Sequence, residues 1–240
     1  KNAKWKIVLM HKPIYDCGAG GNNTEDPAEG RTNYDIPVMR RQLAPLFTQY
    51  GVDLVVQGHD HLYSKSYPLV SYLDESGEVV SVATVTESVQ KSYNGGTYDF
   101  YDDPKGTIYI DIGSPSGWKN FPPVSDYPKD LIDKAGQGTV MYTAVSIEGD
   151  NLFVHTYTLD GKFESVPYYA FGVTKTSEWE APVDNNGKFP TWAIVLIVAG
   201  SVLVVGGSVG ATLLILKSKN KKTAANTSSE NASDGSESNL

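Results

Sequence analysis

A layered α/β fold is predicted for the first part of this 240-residue sequence, and three observations predict it. A short apolar run at residues 7–10 is followed by a helical pattern at 37–50 and a second apolar run at 52–56. Strand, helix and strand in about fifty residues is the signature of an α/β layer. From Ser66 onward the pattern turns to alternating, hairpin-forming segments, in a chain rich in tyrosine (15) and glycine (23).

The elements follow in order. Residues 7–10 read as a buried strand that ends at His11-Lys12-Pro13. Residues 16–35 are rich in Gly, Asn, Asp and Pro and read as a long loop, of the kind that often borders an active site. The helix at 37–50 takes Asp35 as its N-cap, Pro37 in its first turn and Gly51 as its end, with Pro45 expected to kink or shorten it. The strand VDLVV then runs into Gln57-Gly58. SYPLVSYL and EVVSVATVT flank a DESG turn and predict a hairpin. GTIYIDIG reads as a strand. VMYTAVSIE and NLFVHTYTL, joined by Gly149-Asp150, predict another hairpin, and KFESVPYYAF closes the domain.

The tail of the sequence is different. Residues 176–190 form a polar, Pro-containing linker. Residues 193–216 carry no charge over 24 positions, enough helix to cross a hydrocarbon core of about 30 Å. Phe189 and Trp192 precede this run; Lys217, Lys219, Lys221 and Lys222 follow it. That asymmetry predicts a single-pass membrane protein with the globular part extracellular and the C-terminus cytoplasmic. Gly206 and Gly210 form a small-residue pair that would suit a helix homodimer, and equally suits an unpaired span. The expected organisation is a globular domain at 1–175, a linker at 176–190, a transmembrane helix at 191–216 and a disordered cytoplasmic tail at 217–240.

Composition excludes some functions. The formal net charge is -8 and the globular part has no basic cluster, so nucleic acid is not an expected partner. Cys17 is the single cysteine, which rules out a disulfide-stapled fold; it reads as a spare thiol. The sequence opens at Lys1 directly before a core strand, with no signal peptide, and residue 1 is read as a truncation point.

Three of the four histidines fall just past predicted strands: His11 after KIVLM, and His59 and His61 after VDLVVQG. Loops beyond the carboxyl ends of sheet strands are where such folds bind ligands. Imidazole suits first-row transition metals, so His11, His59 and His61 are candidate metal ligands. Asp60, between two of them, reads either as a brace or as a solvent-facing acid. Tyr15 and Tyr63 read as packing residues before pocket residues, Lys12 as surface charge or a phosphate contact, and His155 as remote from the site. Asn22-Asn23-Thr24 is a glycosylation sequon.

VLMHKPIY resembles the VxxH element of calcineurin-like metallophosphoesterases, and VDLVVQGHDHLYSKSYP resembles the GHxHxYxRxxP element of their purple acid phosphatase branch. GTIYIDIGSPSG and MYTAVSIEGDNLFVHTYTLDGK are similar to that branch's later strands. The resemblance covers about residues 5–175. It implies an α/β fold: the C-terminal half of the layered metallophosphoesterase β-sandwich with flanking helices, here followed by a single transmembrane helix. It implies two metal ions, Fe with Zn, Mn or Fe, with His11 and His59 holding one ion, His61 the other, and Gly58 as the turn residue. It implies an enzyme that hydrolyses phosphate esters outside the cell by attack of a metal-bound hydroxide.

Several family features are absent. The remaining ligands, an Asp, a bridging Asp and an Asn-His pair, belong to an upstream half that these residues do not contain. No histidines follow VxxH closely, and Lys65 stands where Arg is usual. These 240 residues alone are therefore expected to bind metal weakly and to hydrolyse little. The alternative expectation is a membrane-anchored binding or adhesion module that keeps the fold without turnover.

Overall fold

The computed structural model describes residues 3–19, 35–115, 119–160, 162 and 164–177. Three strands form the parallel centre of the first sheet. β1 (Ile7–Leu9) pairs with β2 (Leu54–Gln57), and β2 pairs with β8 (Ile108–Ile112). Two antiparallel strands extend it, β3 (Tyr63–Ser66) beside β8 and β9 (Ile132–Gly136) beside β3. The second sheet has the order β10 (Met141–Glu148), β11 (Asn151–Leu159), β12 (Ser165–Thr174), β7 (Gly96–Asp102) and β6 (Val89–Tyr93). Its pairs are antiparallel except β12 with β7. A separate hairpin joins β4 (Leu69–Leu73) to β5 (Val79–Ala83).

The two sheets face each other. Leu54, Ile108 and Ile110 from the first meet Tyr101, Leu152, Val154, Phe171 and Val173 from the second. On the other face of the first sheet, Val55 and Tyr109 pack with Ala44, Leu43 and Phe47 of helix α1 (Asp35–Gln49) and with Leu69, Val79 and Ala83 of the hairpin. This alternation along β2 and β8 follows from the two-residue period of a strand buried on both faces. The architecture is thus three layers: helix with hairpin, a mixed first sheet, and a second sheet that is antiparallel except at β12–β7.

The inter-sheet layer is open at one edge. Register places Ile7 beside Leu54 and Leu9 beside Val56, so both point toward the facing sheet. They are 37% and 78% exposed. On the second sheet's edge, Val145 and Ile147 pair with the core residues Val154 and Leu152, yet are 38% and 47% exposed. Trp5 Nε1 donates to Gly149 O at 3.3 Å, so the run into β1 adjoins the β10–β11 turn.

The helix differs from expectation in two ways. Asp35 lies within its first turn rather than capping it, and Pro45 sits buried inside without ending it. Burial of the helix's apolar stripe against the sheet and hairpin offsets the one missing hydrogen bond. Both expected hairpins form. The β6–β7 hairpin and the strands β3 and β9 lie outside the sequence reading. The first carries an Asn94-Gly95 turn with both residues at positive φ (46° and 81°), the signal of a tight hairpin. β9 (IDKAG) lacks alternation, which left it unread.

The predicted transmembrane helix (191–216), most of the linker and the tail lie outside the described residues, as does the sequon. Among the described residues, no helix is long and apolar enough to cross a membrane.

Candidate metal centre

Parallel pairing brings the ends of β1 and β2 to the same sheet edge. The pairing continues past both strands: Met10 N donates to Val56 O and Gly58 N to His11 O, each at 3.0 Å. His11 and His59 therefore arrive side by side. His59 Nδ1 and His11 Nε2 are 3.3 Å apart, with the rings edge to face. That spacing suits a hydrogen bond. It also suits two ligands of one ion, since nitrogens about 2.05 Å from an ion at near-tetrahedral angles stand about 3.3 Å apart. Burial holds the His59 imidazole below its ordinary pKa, which favours the neutral, metal-binding form near pH 7.

His61 points elsewhere. Its Nδ1 bonds the carbonyl of Lys119 at 2.8 Å. Among the described residues, no group of three or more His, Cys, Asp or Glu is placed to hold an ion. The three candidate ligands thus divide into a pair, His11 with His59, and a separate His61. The donor set fits transition-metal chemistry, but the described residues offer two imidazoles at one position and one at the other.

Gly58 behaves differently from the expected turn residue. The left-handed backbone falls on the histidines instead, at φ 80° for His59 and 49° for His61. A side chain at Gly58 would meet nothing nearer than His11 O at 3.9 Å. Left-handed non-glycine residues are uncommon and strained, and they persist where surrounding contacts over-determine them.

The loop after His11 is pinned from below. The buried Gln57 amide accepts from Ile14 N at 2.9 Å and donates to Tyr15 O at 2.6 Å. Lys12 pairs with Asp35 at the start of α1. Tyr15 packs on Tyr109 and bonds Ser81, and Tyr63 is buried, so both are packing residues. Cys17 is buried and its thiol is pushed up to about 12 by burial, which leaves it inert. His155 stacks on Tyr157 in the antiparallel sheet, away from the histidine pair.

Sequence reasoning passed over a group of carboxylates behind the turn. Asp60 turns inward against Gly18, where any β-carbon would overlap its carboxylate. Asp16 and Asp111 are fully buried beside it. Burial first, then repulsion between these carboxylates, holds Asp16 and Asp111 well toward their protonated forms. The available signal was an aspartate inside an otherwise apolar strand, IYIDI.

Lys65 is also fully buried. It pairs with Asp133 of β9 and bonds Tyr101 Oη at 3.0 Å, over the rings of Tyr101 and Phe171. Burial lowers its pKa to about 8. The cation that replaces the usual Arg ties the strand after GHDH to the second sheet.

No family model matches the chain. Over 124 residues it is 29% identical to acid phosphatase type 7 of Danio rerio, covering 46% of this chain and 21% of that protein. Over 109 residues it is 27% identical to purple acid phosphatase 3 of Arabidopsis thaliana, covering 45% and 24%. The chain thus matches between a fifth and a quarter of the length of these relatives. The structure of a purple acid phosphatase from yellow lupin (Lupinus luteus) seeds matches with a TM-score of 0.50 at 16% identity, over 78% of this chain and 28% of that one. The strand ends that carry His11, His59 and His61 accordingly belong to a purple acid phosphatase-like metallophosphoesterase fold.

Proposed function

We propose that this chain supplies the histidine-bearing part of a two-metal phosphoesterase acting on phosphate esters outside the cell. The carrying observation is the 3.3 Å approach of His59 Nδ1 to His11 Nε2 at the shared end of two parallel strands. In this reading His11 and His59 hold one ion and His61 the other, iron with zinc, manganese or a second iron. A bound metal pair supplies Lewis acidity and a nucleophile at neutral pH. The chain's own residues hold the donors: Gln57 fixes the His11 loop, and the Lys119 carbonyl orients His61.

The open edge supports the domain reading. A parallel edge strand with apolar residues exposed toward a facing sheet is rare, because such sheets are covered on both faces. Further strands beside β1 and β10 would bury Ile7, Leu9, Val145 and Ile147 and bring the missing ligands. The uncharged run at 193–216 is the basis for a single-pass anchor with the domain outside, and Gly206 with Gly210 for pairing within it.

Metal analysis of the full-length protein tests the reading. Two transition-metal ions per chain are expected, with His59→Ala losing one and abolishing hydrolysis of p-nitrophenyl phosphate. A metal-free, inactive full-length protein would support the second reading, a non-catalytic surface module. The missing loop histidines favour that alternative.

A further inference from the structure

Two non-glycine residues in left-handed conformations face each other behind the GHDH turn, His61 at φ 49° and Lys119 at φ 62°. The Lys119 side chain is exposed; its carbonyl makes the contact, 2.8 Å from His61 Nδ1. A carbonyl only accepts, so Nδ1 carries the proton and the imidazole lone pair lies at Nε2. The far side is closed as well. Phe121 N donates to His61 O at 3.3 Å, and Gly138 N donates to Phe121 O at 3.0 Å. A β-carbon at Gly138 would overlap the His61 carbonyl and stand 3.1 Å from Phe121 N. The Phe121 ring tilts against the imidazole at 6.3 Å between centroids.

We propose that residues 119–121 with Gly138 form a clasp that sets the tautomer and direction of His61, with the left-handed backbone of Lys119 aiming the carbonyl. Strain at two facing positions is retained where neighbouring contacts impose it, and here the contacts converge on one residue, at the imidazole Nδ1 and ring face and at the backbone carbonyl of His61. A partner on the second nitrogen is the general way a protein fixes which nitrogen meets a metal. The clasp deepens the proposed role of His61: it assigns Nε2 as the donor atom. Lys119 acts as a positioning residue through its backbone, so its identity matters by conformational preference and not by charge.

Imidazole ¹⁵N spectra of the labelled 240-residue chain, at about pH 8 where a histidine is neutral, read the tautomer directly. The Nδ1–H form is expected for His61 in the wild-type chain. It is also expected in Lys119→Gly, because glycine adopts positive φ freely. Lys119→Val, β-branched and hostile to that conformation, is expected to shift His61 toward the Nε2–H form while the amide spectrum stays dispersed. An Nε2–H tautomer in the wild type, or an unchanged tautomer in a folded Lys119→Val chain, would overturn the clasp. Titration with zinc separates the two claims. Should the tautomers behave as expected while zinc leaves the His61 resonances unmoved, the clasp stands and the metal role of His61 falls.

Discussion

His11 and His59 reach the sheet edge in one way and His61 in another. The first two are delivered by strands: β1 and β2 run parallel, their hydrogen bonding continues to Met10 and Gly58, and the side chains meet without further help. His61 is delivered by a loop more than fifty residues away in sequence, through a carbonyl, an amide and a glycine. A sheet places donors by its own periodicity. A loop places them only through specific close contacts, which are easier to destroy.

The largest expected effect lies on the His61 side. β3 follows His61 directly, and Lys65 anchors β3 through Asp133 and Tyr101. Asp133→Ala strands a buried cation, so it is expected to cost about 3 kcal/mol in urea unfolding. Amide shifts should spread around His61 and leave His11 little changed. Lys65→Met in the Asp133→Ala background should recover much of the loss, since no charge then stays unpaired. The pH dependence has a fixed sign. The folded pKa of Lys65, about 8, lies below its ordinary 10.5. The unfolded chain therefore binds more protons between those values, and stability rises with pH. Between pH 8 and 9.5 the wild type should gain stability relative to Lys65→Met, and a flat difference would contradict the burial of that ammonium.

Gly138→Ala comes next. Its β-carbon has no room beside the His61 carbonyl, and relief by backbone shift is expected to cost about 1–3 kcal/mol. Zinc titration followed by histidine resonances should show His61 perturbed and the His11–His59 pair intact. Equal perturbation of all three would mean that the two arms are one unit.

The same contrast explains what was legible in the sequence. GHDH after an apolar strand, with HKP after another, marks the histidines at the strand ends because strand ends and side-chain chemistry are local properties. The layered α/β plan followed from the strand-helix-strand pattern of β1, α1 and β2 and from the two hairpins, whereas the stacking into three layers is seen only in the fold. Neither Gly138 nor Lys119 carries any mark of its own: one is a glycine among 23, the other a surface lysine, and each matters only through a contact across the fold. Asp16 and Asp111 were missed because their importance lies in meeting each other and Asp60. Gly58, read as the turn residue, is not left-handed; His59 and His61 adopt that backbone instead.

A smaller effect measures that strain. His59→Gly and His59→Ala remove the same ring, but only glycine is at ease at φ 80°. The glycine variant is expected to be more stable than the alanine variant by about 1 kcal/mol, and both should weaken zinc binding equally if His59 is the proposed ligand. If alanine proved as stable as glycine, the turn would relax on losing its ring, and the strain would belong to the side-chain contact with His11.

Gly58→Ala should give the smallest effect and the opposite sign to Gly138→Ala. Its backbone is not left-handed, and the added β-carbon meets only the His11 carbonyl at an ordinary 3.9 Å. Alanine there restricts the unfolded chain without straining the folded one, which is worth roughly 0.5 kcal/mol in favour of folding. Thermal unfolding should show a slight rise, and zinc affinity at the His11–His59 pair should hold within a few-fold. A loss above about 1 kcal/mol would mean that the turn between β2 and His59 tightens beyond its present form when the donors engage. The strand-borne pair would then depend on close backbone approach as much as His61 does, because a parallel ladder alone would no longer suffice to set two imidazoles 3.3 Å apart.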